Sequence, residues 1–171
     1  WYQRIEICKI DGRIANEECS DAGEAKTKDF IRIRAEFPQW QSDVDSWVKE
    51  NYSDDEKYFP PLMVSKLKFD NDEVSNKDEV YTQIVGLSEG DTVPLNFRLN
   101  VEVSCYRDIE KVTIYLDGDK VSEDRDTPYG YNFKLSSDKI GKHTFKATAT
   151  DEKGNKGDYE IELNVVGYAV D

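Results

Sequence analysis

Residues 2–10, Tyr-Gln-Arg-Ile-Glu-Ile-Cys-Lys-Ile, alternate along the chain, with Ile5, Ile7 and Lys9 on one face and Arg4, Glu6, Cys8 and Ile10 on the other. A period of two predicts a strand. Asp11-Gly12 then predicts a tight turn, because Gly accepts the positive φ that such turns need. Residues 30–35, Phe-Ile-Arg-Ile-Arg-Ala, alternate strictly and predict a second strand. The period changes after Pro38, which can open a helix because its missing N–H is unneeded in the first turn. Trp40, Val44, Trp47 and Val48 recur at i, i+4, i+7 and i+8, which puts them on one face of a helix running to about Asn51. Ser53-Asp54-Asp55 and Pro60-Pro61 end the helix and begin a connector.

From residue 62 onward the pattern is strand-like throughout. Residues 62–69 alternate, and further strands are expected at 80–85, 93–103, 109–116, 129–135, 142–150 and 158–167. Glu89-Gly90-Asp91, Asp117-Gly118-Asp119, Ser136-Ser137-Asp138 and Glu152-Lys153-Gly154-Asn155 supply the turns between them. This pattern asks for two facing sheets. The expected core is Val101 and Val103, then Val112, Ile114 and Leu116, then Phe133, Phe145, Ala147 and Ala149, then Ile161, Leu163 and Val165. Asp70-Asn71-Asp72-Glu73 has the look of a calcium loop but lacks the Gly at the sixth position and the spaced terminal Glu, so a solvated acidic loop is expected.

The cysteines number three. Cys8 and Cys19 flank the Asp11-Gly12 turn, and a chain returning there would bring their Cβ atoms to bridging distance. A disulfide is the expectation; two reduced, buried thiols are the alternative. Cys105 has no partner and is expected as a buried or half-buried free thiol. With one histidine, His143, and the cysteines far apart, a metal site is not expected, nor any cofactor.

Charge narrows the partners. The net charge is −13, from 36 acidic and 23 basic residues, and the excess runs through both halves. Without clustered Lys and Arg, neither nucleic acid nor an anionic membrane surface is a fitting partner. The apolar runs are too short to span a bilayer. The chain opens at Trp1, with neither Met nor the basic and apolar regions of a signal peptide, and is expected to be a piece of a longer protein.

Several motifs carry a resemblance. Val112-x-Ile-Tyr-Leu-Asp-Gly118, Thr127-Pro128-Tyr129, Gly141-Lys142-His143 and Ala147-Thr-Ala-Thr-Asp151 followed by Gly154-Asn155 look like a bacterial immunoglobulin-like repeat of cell-surface proteins. The fold implied is mainly β: an immunoglobulin-like β-sandwich over 62–171, with its core repeat at about 90–168, preceded by a small disulfide-linked α+β segment over 1–61. Ile7-Cys8-Lys9-Ile10-Asp11-Gly12-Arg13-Ile14-Ala15-Asn16, closed by Cys19, is similar to the segment following the transpeptidase domain of bifunctional, class A penicillin-binding proteins. Phe37-Pro38-x-Trp40 and Trp47 fit the tail that follows there. This resemblance implies a non-catalytic accessory region of a peptidoglycan synthase, outside the membrane. Its partners would be peptidoglycan, other envelope proteins and the catalytic domains of its own parent.

No catalytic residue is expected in this chain. Ser136-Ser137-Asp138-Lys139 meets Ser-x-x-Lys in a predicted turn, without Ser-x-Asn or Lys-Thr-Gly beside it. His143, just after Gly141, is expected to hydrogen-bond a neighbouring loop. Tryptophans at helical spacing are more often core or docking residues than platforms for sugars. Binding carbohydrate as a module of an unrelated surface protein is the alternative function, with Trp40, Trp47, Tyr129 and Tyr131 as the stacking surface; spacer or adhesin repeat is a third.

Overall fold

The computed structural model describes residues 1–37 and 40–167. It opens with an antiparallel hairpin, β1 (Tyr2–Cys8) and β2 (Ala25–Ile31), in register from Tyr2 opposite Ile31 to Cys8 opposite Ala25. Between the strands, helix α1 (Glu17–Asp21) begins at Asn16, whose side-chain oxygen accepts from the Cys19 N–H at 2.8 Å. Asn is favoured there because it satisfies a donor that the helix itself cannot. The second strand lies earlier than the alternation at 30–35 predicts. Its first residues, Ala-Lys-Thr-Lys-Asp, carry no apolar pattern and are fixed by pairing with β1.

The expected helix is α2 (Gln41–Tyr52); Pro38, its predicted start, lies outside the described residues. A single 3-10 turn follows at Glu56–Tyr58, tied to β2 by the Lys28–Glu56 ion pair. The strand expected at 62–69 does not form a ladder. Phe69–Asp70 (β3) pairs with Glu73–Val74 (β4) across a tight turn at Asn71 and Asp72, both with positive φ, and Val64 makes one isolated bridge to Ile14. The alternation of burial is real, since Met63, Ser65 and Leu67 are all buried. Much of the backbone bonding goes to side chains instead. Asn16 Nδ2 donates to the Ser65 and Leu67 carbonyls at 3.0 and 2.9 Å, Asn76 Nδ2 donates to the Lys66 carbonyl at 3.0 Å, and Ser104 Oγ accepts from the Lys66 N–H at 2.8 Å.

The remaining strands are β5 (Tyr81–Val85), β6 (Thr92–Pro94), β7 (Asn96–Ser104), β8 (Ile109–Leu116), β9 (Asp119–Asp124), β10 (Tyr129–Lys134), β11 (Gly141–Asp151) and β12 (Lys156–Val166). They form an immunoglobulin-like sandwich of a three-stranded sheet, β10-β7-β5, on a five-stranded sheet, β6-β12-β11-β8-β9. Every core residue expected from the alternation is buried. Phe97 and Phe133 of one sheet meet Phe145 of the other with ring centroids 5.5 and 5.0 Å apart, so three aromatic rings join the layers. A fully buried Phe is worth about 1.5–3 kcal/mol over an exposed one.

Cys8 and Cys19 are disulfide-bonded, which excludes the reduced alternative. The loop they close fastens the N-terminal hairpin to the sandwich. Asp11 Oδ2 accepts from Ser65 Oγ at 2.8 Å and from Ser104 Oγ at 2.6 Å. Arg13 pairs with Glu102, which also accepts from the Leu62 N–H at 3.0 Å. Ile14 donates to the Met63 carbonyl at 3.0 Å, and its own carbonyl accepts from the Ser65 N–H at 2.8 Å.

Candidate functional site

Helix α2 lies against β7 and β10 through polar contacts. Ser42 Oγ accepts from the Arg98 N–H, Ser46 Oγ donates to Asn132 Oδ1 at 2.9 Å, and Lys49 Nζ donates to the Pro128 carbonyl at 2.6 Å. Lys49 also lies 3.2 Å from Asp124, and the Gln41 side chain ties the helix start to the Ala35 N–H and the Ile33 carbonyl. These bonds consume one face of the helix. Opposite them stand Trp40 and Trp47, 50% and 48% exposed. Neither tryptophan is therefore a core residue, as one of the expected roles had it, whereas docking on a neighbouring module is a role that half-exposed indoles still fit; of the predicted face, Val48 alone is buried. The sandwich wall beneath α2 is polar, so the helix turns serines and a lysine toward it.

The indoles are held by other aromatic rings. Phe37 meets Trp40 nearly edge to face with centroids 4.7 Å apart, and Tyr52 meets Trp47 at 5.6 Å. Tyr52 in turn lies 4.2 Å from Tyr58. Trp47 is thus part of a row that sequence reasoning missed, because Tyr58 belongs to the connector beyond the helix.

Tyr129 and Tyr131 stand elsewhere, half-buried on β10 and packed on the sandwich core. Tyr131 meets Phe133 edge to face at 4.8 Å. Burial, and then the charge of Asp124, push the Tyr129 hydroxyl pKa up. Between them Gly130 is required by close approach: a Cβ there would lie 2.5 Å from the Leu99 carbonyl oxygen and 2.7 Å from Arg98 Nη2. Tyr129 lines a cavity of about 460 Å³ between α2 and the sandwich, together with Asp45, Val48, Lys49 and Arg98. The predicted stacking surface is therefore divided. The tryptophans are on the outer face of α2, and Tyr129 faces the inner cavity.

Arg98 is buried, with Nε donating to Asn100 Oδ1 at 2.7 Å and Nη1 to Asn132 Oδ1 at 3.2 Å. Burial pushes its pKa down, and the nearby Asp124 and Asp45 oppose that shift. Cys105 is a buried free thiol whose Sγ donates to the Arg107 carbonyl at 2.8 Å. Burial, reinforced by Asp151, pushes its pKa up to about 12, which leaves it protonated and a poor nucleophile. His143 Nδ1 lies 2.5 Å from Asp117 Oδ2 at the β8–β9 turn, the loop contact expected of it. Ser136 begins a single exposed 3-10 turn at Ser137–Lys139 and bonds to Asp138, with no catalytic neighbour assembled around it. The Asp70–Glu73 run is the turn of the β3–β4 hairpin. Among the described residues no His, Cys, Asp and Glu group is arranged to hold a metal, and no helix is long and apolar enough to cross a membrane.

Comparison with known proteins agrees with the sandwich. The bacterial Ig domain family matches residues 81–147. No curated protein matches the chain. Similar solved structures include the Clostridium thermocellum CbhA fibronectin(III)-like modules, at 17% identity over 52% of this chain and 99% of that one, with a TM-score of 0.47. SGBP-B from a Bacteroides ovatus mixed-linkage glucan utilization locus, in complex with a mixed-linkage heptasaccharide, is 20% identical over 53% of this chain and 25% of that one, with a TM-score of 0.40. A Cellulomonas fimi endo-β-1,4-mannanase is 23% identical over 50% of this chain and 18% of that one, with a TM-score of 0.36. The chain thus spans a quarter or less of the latter two, and at these identities the likeness is one of fold.

These findings overturn the expectation of a penicillin-binding protein, and with it the peptidoglycan-synthase function. The family match is to a bacterial Ig domain, over residues 81–147. The motif that suggested the synthase has a structural account of its own. Its cysteines close a loop, and Asp11 and Arg13 bind the sandwich through Ser65, Ser104 and Glu102. The fold is an immunoglobulin-like β-sandwich preceded by a small disulfide-linked α+β segment, and residues 81–147 of it match a bacterial Ig domain.

Proposed function

We propose that this module belongs to an exported protein and binds carbohydrate through the outer face of α2. The observation that carries the reading is the pair of half-exposed indoles, on a helix whose opposite face is committed to the sandwich. Large aromatic rings left in solvent side by side mark interaction surfaces. Indoles suit sugars because the C–H faces of a pyranose pack on the ring while polar neighbours take the hydroxyls. The buried disulfide supports export, since such bonds form and persist in oxidising compartments. The catalytic or anchoring work would fall to other domains of the same polypeptide, which this module would hold close to polysaccharide. Electrophoresis through gels containing soluble β-glucan, mannan or xylan tests the reading. At least one should retard the protein, and the Trp40→Ala/Trp47→Ala double variant should run freely with its melting temperature unchanged. Free migration of the unaltered protein in every glycan would sink the idea and leave the spacer role.

A further inference from the structure

The outer face of α2 has a spacing as well as a composition. Trp47 lies in α2 and Trp40 is its N-cap residue, with backbone in the right-handed helical region; extending the helical spacing to that cap, seven residues away, sets the two side chains within about 20° of the same direction. At the usual helical rise they are about 10 Å apart along the axis. That is the length of two pyranose rings in an extended, equatorially linked chain, in which every second ring presents the same face. Phe37 and Tyr52 brace the two indoles edge to face. Rings fixed before binding give up little rotamer freedom when a ligand arrives.

The charges beside the indoles narrow the ligand further. Asp43 and Glu50 are exposed and project from the adjoining strip, roughly 40–80° around the helix from the tryptophans. The one lysine of α2, Lys49, is turned inward onto Pro128 and Asp124. In a chain of net charge −13, such a surface repels uronate or sulfate groups. Carboxylates nevertheless accept hydrogen bonds from sugar hydroxyls. We infer that the ligand of this face is an uncharged, extended polysaccharide chain lying along α2, with alternate rings stacked on Trp40 and Trp47. This rests on the carbohydrate-binding reading and adds charge, extension and register to it.

Calorimetric titration of the whole chain tests it, with β-1,4-linked glucose and mannose oligomers of two and four rings and a four-ring galacturonate oligomer. One of the neutral tetramers should bind about tenfold more tightly than its dimer, because it alone reaches both indoles. Trp40→Ala and Trp47→Ala should each bring that tetramer close to the affinity of the dimer, with circular dichroism and melting temperature unchanged. Equal affinity for two and four rings, a loss confined to one tryptophan, or tighter binding of the galacturonate would overturn this inference and leave carbohydrate binding standing. Absence of binding by all of these saccharides, together with free migration in the glycan gels, would overturn both.

Discussion

Replacing Cys8 and Cys19 by Ala together should open the attachment of the N-terminal segment while leaving the sandwich intact. The two cysteines are 11 residues apart, and closing a loop of that size removes unfolded-chain entropy worth about 3 kcal/mol. Asp11, Arg13 and Ile14 all lie inside the loop, so the covalent closure and the contacts to the sandwich act on one short segment. Both cysteines are fully buried against Leu67 and Val74, a cluster separate from the sandwich core. The loss should therefore be local.

Hydrogen exchange reads this residue by residue. The Cys8 amide donates to the Arg13 carbonyl at 2.8 Å, and the Ile14 and Ser65 amides bridge the attachment. A loss of about 3 kcal/mol should speed their exchange roughly 100-fold, if they exchange through opening of the segment. Amides of β11, such as Ala147 at the centre of the five-stranded sheet, should keep their protection. Unchanged protection at Ile14 and Ser65 would show that the loop contributes no such constraint. An equal loss across β11 would show that the segment and the sandwich unfold as one unit, against the separation argued from the two clusters.

Asp151 is a buried carboxylate that accepts from the Lys153 and Asn155 amides, both at 2.9 Å, and from Asn155 Nδ2 at 3.0 Å. Burial alone would raise its pKa, but the Asn155 side chain, those backbone donors and Arg107 outweigh it and hold the pKa below the usual carboxylate range. Its contribution is present above the unfolded value and is lost as pH falls through the folded one. Asp151→Asn should therefore cost about 1–3 kcal/mol at pH 7 in urea unfolding and flatten the acid limb of stability; an acid limb as steep as that of the unaltered protein would refute this. For Cys105, iodoacetamide at pH 8 should add nothing to the folded protein and one group after denaturation without reductant. Three additions would contradict the disulfide.

The sandwich was legible because its strands alternate and have a partner on each inner face; β8 runs from Ile109 to Leu116, as the pattern predicts. β9 was not, because Asp119–Asp124 is a charged edge strand with no buried residue, held by pairing with β8. Residues 62–69 show the limit of alternation more sharply. It correctly marks Met63, Ser65 and Leu67 as inward, but cannot reveal that Asn16, Asn76 and Ser104, distant in sequence, supply their backbone partners. Helical spacing has the same limit at Trp40 and Trp47. It says that the two share a face, and says nothing about what covers it. The answer depends on Arg98, Asn132 and Asp124, which present α2 with a polar wall and draw Ser42, Ser46 and Lys49 inward.

That polar docking bears on where function resides. Among the described residues, the large hydrophobic side chains left exposed are Trp1, Tyr2, Phe37, Trp40, Trp47, Leu62, Val64, Tyr106 and Ile140. Seven of these nine precede residue 65, although the sandwich is the larger part of the chain. Had α2 been held by its apolar residues, Trp40 and Trp47 would be spent on stability and the segment would be an inert cap. Holding it by Ser42, Ser46, Lys49 and the Gln41 side chain leaves the indoles in solvent on a fastened helix. The sandwich buries its own aromatics, Phe97, Phe133 and Phe145, and so has few to offer a ligand. On the carbohydrate-binding reading proposed above, the division is one of scaffold and surface, with the surface on the segment that the bacterial Ig domain match does not reach.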